Sequence, residues 1–267
     1  MSPAPFPVLA PASNVAEVLE RVDAVVAWSI ANASRLGYFA ALYKRITRAI
    51  GAACDAGDFE DGPRMQRLDA TFANRYFAAL NGTFALGPHP APSQCWGVAF
   101  AAARSGDPVI VLHMLAGVNA HIALDLGVAA AQTAQPGPLE ALHADFNMVN
   151  QILARQVKVV LDEIDSVSPV LAALYDLFDK LEIGTIDESL VLFRDGAWGF
   201  ASVLAAELGA LHPPTIAARD LEVSLFGRLM LAPPKPFASI VRAIALQEKP
   251  DVAKNITALD GIASEAL

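Results

Sequence analysis

The sequence predicts an all-α, single-domain bundle of about eight to ten helices around a buried central helix at residues 109–132. Three observations predict it. Period-2 alternation over strand lengths is missing, so no segment reads as a half-buried strand. Helix start and stop signals recur along the chain as side-chain caps, first-turn prolines and terminating glycines. Hydrophobic residues make up 54% of the 267 and charged residues 18%, against typical shares of about 45–50% and about 25%. That excess of apolar side chains excludes a disordered chain and suits one large core.

The elements follow in order. Asn14 and Glu17 form a capping box ahead of Val15, Val18, Leu19, Val22, Val25 and Val26. A second helix reads from Arg35 to Ala56 and stops near Gly57. Asp61-Gly62-Pro63 breaks the chain, and Pro63 suits the first turn of a helix reaching about Leu80. Asn81 to Pro92, rich in Gly and Pro, reads as a loop before a short helix from Ser93 to Arg104. Asp107-Pro108 opens the central helix and Pro136-Gly137-Pro138 ends it. The next helix runs from about Leu139 to Asp165. Ser168-Pro169 caps Val170 to Leu181, and Thr185 with Glu188 boxes Leu190 to Ala210. Paired prolines at 213–214 and 233–234 bracket Thr215 to Leu231, and a last helix spans Phe237 to Gln247. The helical domain is expected over 14–248, between an N-terminal arm (1–13) and a C-terminal tail (249–267).

Lys and Arg number 19 and Asp and Glu 28, a net charge of −9 with no basic run. Such a surface argues against nucleic-acid binding through phosphates and against a polybasic membrane anchor. Cys54 and Cys95 are too few for a disulfide framework and read as reduced thiols. The N-terminal residues lack a basic segment followed by an apolar one, so a cytoplasmic location is expected. Val109 to Ala131 is apolar and long enough to cross a bilayer, yet it carries His113, Asn119, His121 and Asp125. Polar groups at mid-membrane depth are expensive, so the segment reads as a core helix rather than a membrane span.

Those polar residues are the functional signal, because a helix without a polar face must satisfy them inside the protein. His121 and Asp125 lie four apart, about 40° around an α-helix, where a nitrogen and a carboxylate oxygen can share one ion. The bland alternative is a buried His–Asp hydrogen bond. His113 lies about 12 Å along the axis from His121 and so cannot share one ion with it; it serves either another part of the same cavity or only the packing. Asp69 stands inside the apolar stripe Met65, Leu68, Phe72, Tyr76 and Leu80. It requires a cation, several donors or a raised pKa, and an ion pair with Arg194 is its structural alternative. His143, Asn147 and Asn150 share one helix face, whereas Asp145 points roughly 160° away from His143, so only one of His143 and Asp145 can join the site. Arg194 and Trp198 stand one turn apart on an apolar helix. The candidate catalytic residues are Asp69, His121 and Asp125. The candidate ion ligands are those three with His143 and Asp145, and the candidate substrate contacts are His113, Asn119, Asn150, Arg194 and Trp198.

Several segments together resemble a bacterial family, common in actinobacteria, that is a domain of unknown function. They are Leu36-Gly-Tyr-Phe-Ala-Ala-Leu-Tyr43, Arg67-Leu-Asp-Ala-Thr-Phe-Ala-Asn-Arg-Tyr76 and Gly117-Val-Asn-Ala-His-Ile-Ala-Leu-Asp-Leu126, with Asp145-Phe-Asn-Met-Val-Asn150 and Arg194-Asp-Gly-Ala-Trp198. The resemblance spans roughly Asn14 to Leu208 and implies a helical domain without an assigned activity. The lone H-x-x-x-D pair is also similar to helical zinc-dependent phospholipases C and single-strand nucleases, which use more such pairs and an N-terminal Trp ligand. Terpene cyclases are a poorer match, since Asp162-Glu163-Ile164-Asp165 lacks the spacing of their acidic motif.

Three functions remain open. The first is a metal-dependent enzyme that uses a divalent zinc, iron or manganese ion on a small, largely apolar substrate, lipid- or polyketide-like. The second is a metal-free apolar-ligand binder or acid/base cyclase or isomerase. The third is a non-enzymatic helical scaffold, and the apolar excess allows a homo-oligomer in each case.

Overall fold

Asn14 accepts the backbone N–H of Glu17 at 3.0 Å and starts the first helix at the position its sequence signals. From there a computed structural model describes residues 4–105, 109–163, 186–235 and 237–265. Helix α1 spans Val15–Ala31 and α2 Leu36–Ala56, the latter ended by Gly57 in the left-handed conformation (φ 76°). Asp61 caps α3 (Gly62–Phe84) through the N–H of Arg64. Helix α4 covers Gln94–Ser105. The central helix runs Ile110–Ala134 as α5 (Ile110–Ala120), a π-helical turn (His121–Leu126) and α6 (Gly127–Ala134). A 3₁₀ turn (Leu139–Leu142) leads into α7 (His143–Glu163), and α8 follows over Ile186–Ala206. Helices α9 (His212–Leu231), α10 (Phe237–Ala245) and α11 (Val252–Ser264) complete the described chain.

The fold is all-α, as expected; among the described residues the isolated bridge between Phe6 and Ala85 is the sole β-type pairing. Of the most apolar stretch of the central helix, 83% is buried within the bundle. It packs against α2, α3, α4, α8 and α9. Two glycines set how close the neighbours come. A Cβ on Gly117 would lie 2.4 Å from the Phe39 ring of α2, and one on Gly127 would lie 2.8 Å from the carbonyl oxygen of Ala197 in α8. The π turn lies between these two contacts, so the chemistry-bearing segment is held where the helices are pressed together.

Three expectations need adjusting. Helix α3 runs a full turn beyond Leu80, into the segment read as loop. The arm at 4–13 belongs to the core: Phe6, Leu9 and Ala12 are buried. The side-chain amides of Asn81 and Asn74 each exchange two hydrogen bonds with its backbone, at Leu9 and Ala12 respectively. Such pairing satisfies buried peptide groups that no strand or helix serves. The segment read as a tail carries α11, capped by Asp251 and packed on α1 and α2 through Ile256, Leu259 and Ile262. The caps expected at Asp107-Pro108, Ser168-Pro169 and Thr185, and the helix Val170 to Leu181, lie outside the described residues.

Candidate active site

Asp125 is 1% exposed and fully engaged. Its Oδ1 accepts from Arg75 Nε at 2.7 Å, and its Oδ2 accepts from Trp96 Nε1 at 2.7 Å. His121 Nδ1 stands 3.4 Å from the same Oδ2, at the long end of a hydrogen bond. Burial opposes ionisation of this carboxyl, but the Arg75 charge and the bonds from His121 and Trp96 outweigh it and hold its pKa below the usual carboxylate range. An ionised carboxylate only accepts, so His121 carries its proton on Nδ1 and keeps a lone pair on Nε2. Burial also holds the imidazole neutral, lowering its pKa despite Asp125. The Nε2 atom is buried and has no hydrogen-bond partner among the described residues. Its ring is clamped flat against Phe72 (centroids 3.4 Å, 9° apart) and meets the edge of Tyr43 at 4.8 Å.

His121 lines one wall of a partly open hollow of about 100 Å³, room for several waters or part of a small apolar molecule. The other walls are almost wholly hydrocarbon: Leu42, Ile46 and Ile50 from α2, Met65, Leu68 and Phe72 from α3, Val118, Ile122 and Leu126 from the central helix, Val149 and Leu153 from α7, and Leu190 from α8. Asp69 enters from α3, where its place in the apolar stripe turns it inward. It is 8% exposed, and among the described residues its Oδ2 has no hydrogen-bond partner. Burial pushes this carboxyl up to about 7. The phenol of Tyr43 shares the wall, and burial together with the Asp69 charge raises its pKa.

Arg194 of α8 forms another part of the lining and is 4% exposed. It makes no ion pair with Asp69, the partner its sequence context suggested. Instead Nε donates to Asn150 Oδ1 and Nη2 to the carbonyl of Phe146, both at 2.5 Å, while the guanidinium lies 4.3 Å above the Phe146 ring. Burial lowers its pKa to about 9 against the pull of Asp195. Asn150 thus positions Arg194. Trp198 is turned away from the hollow, packing on Phe146 at 5.0 Å with the exposed His143 stacked on it at 4.4 Å.

The remaining candidates lie apart. Asp145 accepts the backbone N–H groups of Glu60 and Asp61 at 2.7 and 3.0 Å, pinning the turn before α3. His113 is buried beside Tyr38 and lines a separate small pocket with Leu36, Trp96 and Gly117. Asn119 donates to the carbonyl of Val223 and borders a groove between α8 and α9. Of the five candidate ion ligands, only Asp69 and His121 reach the hollow, and Asp125 faces His121 from behind with its oxygens occupied. Among the described residues no group of three or more His, Cys, Asp or Glu side chains is placed to hold an ion.

Sequence reasoning missed Arg75 and Trp96, which fix Asp125, and Phe72, which clamps His121. Arg75 lies one turn beyond Phe72 on the Asp69 helix, so a cation near the apolar stripe was an available signal. Trp96 lay beyond reach, since its meeting with Asp125 depends on how α4 crosses the central helix.

A search of curated proteins and one of solved structures each returned no match. A family model described as "Family of unknown function (DUF5995)" matches residues 15–233, which include every element of the hollow. By that match, over most of its length, the chain belongs to the DUF5995 family, whose function is unknown.

Proposed function

We propose that the hollow binds a small apolar molecule and moves a proton on it, with His121 as base and Asp69 as acid. One observation carries the reading: among the described residues His121 Nε2 and Asp69 Oδ2 are buried without a hydrogen-bond partner, as is the Tyr43 hydroxyl, and all three side chains line one hydrocarbon-walled hollow. Buried polar groups ordinarily find partners, because leaving one unmet costs about 1–3 kcal/mol. Three on the walls of one hollow point to a ligand that completes them. Their environments also divide the roles. Burial holds His121 neutral, Asp125 orients its lone pair forward by taking the Nδ1 proton's hydrogen bond, and burial keeps Asp69 protonated to near neutral pH. An acceptor and a donor at the same pH are what general acid–base catalysis requires.

The chemistry that fits is a proton shift beside a carbonyl, as in an isomerase or cyclase. Nε2 takes a proton from carbon while the Asp69 carboxylic acid gives its proton to the carbonyl oxygen, leaving an enol that the reverse transfers return. A divalent-ion enzyme draws less support, since among the described residues no group of three or more His, Cys, Asp or Glu side chains is placed to hold an ion.

The test is hydrogen exchange into 2-octanone in D₂O. The protein is expected to accelerate exchange beside the carbonyl, with His121→Gln and Asp69→Asn each reducing the rate by about 100-fold or more. Exchange no faster than in buffer would overturn the proton-transfer reading. Unchanged exchange in both variants would overturn the assignment of these residues.

A further inference from the structure

We infer that the molecule held in the hollow carries a carboxylate, and that Arg194 is the residue that receives it. The inference rests on the reading of the hollow as a binding site and names the ligand's class. Arg194 is an arginine placed where arginines are rarely left alone. It is 4% exposed, lines an otherwise apolar wall, and has no carboxylate within ion-pair distance among the described residues. Its two bonds go to neutral acceptors, the Asn150 amide and the Phe146 carbonyl, through Nε and one Nη2 proton. Among the described residues the Nη1 edge has no protein acceptor.

A buried cation without a counter-charge is costly, and the cost falls when an anion arrives. Asn150 and the Phe146 ring fix the guanidinium plane before any ligand binds, which suits a planar carboxylate accepting two N–H groups side by side. Lysine, a flexible point charge, would not reproduce that fork. Asp69 and His121 answer the uncharged polar part of the ligand, Arg194 its anionic end, and the hydrocarbon walls its chain.

The experiment compares octanoate with 1-octanol, two probes of equal chain length, by calorimetric titration of the full chain and of Arg194→Gln and Arg194→Lys. The wild type is expected to bind octanoate at least about tenfold more tightly than 1-octanol, a margin of about 1.4 kcal/mol. Arg194→Gln should erase that preference by weakening octanoate about tenfold more than 1-octanol, and Arg194→Lys should keep only part of it. Equal affinities in the wild type, or a preference that survives in Arg194→Gln, would overturn the carboxylate inference and leave the hollow as an apolar site. Failure of both probes to bind would overturn the binding reading beneath it as well. If Arg194→Gln loses its helical circular dichroism, the wild-type comparison decides alone.

Discussion

Asp145 and Asp69 are both buried aspartates on long helices of one bundle, and they do opposite work. Asp145 sits at the head of α7 and takes two backbone N–H groups from the turn before α3. Asp220 repeats the arrangement on α9, accepting the N–H groups of Gln94 and Cys95 at the start of α4. These carboxylates satisfy peptide groups that a helix start leaves open. Among the described residues Asp69 Oδ2 has no partner, and its side chain lines a hollow. Burial therefore does not separate scaffold from site. What separates them is whether the protein itself completes the buried group.

The comparison is sharpest in pH dependence, where the largest effect is expected. A carboxyl titrating at about 7 in the fold and near 3.9 when unfolded binds its proton more tightly in the folded state between those values. Stability therefore declines as pH rises through that window, by up to about 4 kcal/mol. Asp69→Asn should remove the decline, so that urea denaturation at pH 8 finds the variant more stable than the wild type. Asp145→Ala should act the other way, losing about 3 kcal/mol at neutral pH because two N–H groups lose a charged acceptor. A loss of similar size in Asp69→Asn would erase the distinction between the two aspartates.

The same contrast holds at the backbone. Gly117→Ala forces a methyl into the Phe39 ring beside the hollow, whereas nothing lies within 4 Å of a Cβ on Gly97. Thermal denaturation should show a loss of about 2 kcal/mol for the first and a gain of up to about 1 kcal/mol from helix propensity for the second. The smallest effect belongs to His143→Ala, an exposed stack on Trp198 outside the hollow. It should alter stability by less than about 0.5 kcal/mol and leave octanol binding as it was.

Local signals made much of the fold legible. Asn14, Asp61 and Gly57 act as caps where their sequence context places them, because capping depends on residues within one turn. The cap at Asp251, with Ile256, Leu259 and Ile262 behind it, belongs to the same class of signal and was readable as a helix. At the site, the inward turn of Asp69 followed from its place in an apolar stripe, and the His121–Asp125 contact followed from their spacing. What Asp125 faces did not follow. Spacing puts a carboxylate near an imidazole, but Arg75 and Trp96 arrive from α3 and α4, and they turn an expected ion ligand into a brace. The π turn that carries both residues was likewise hidden, since hydrophobic patterning does not distinguish one wider turn inside an apolar helix.

The most direct measurement is a carbon-13 NMR titration of the Asp69 carboxyl, in the free protein and with 1-octanol present. The account predicts a midpoint at about 7 in the free protein that moves when the alcohol enters the hollow. A midpoint near 4, or one indifferent to octanol, would mean that Asp69 already has its partner and that the hollow is packing rather than a site.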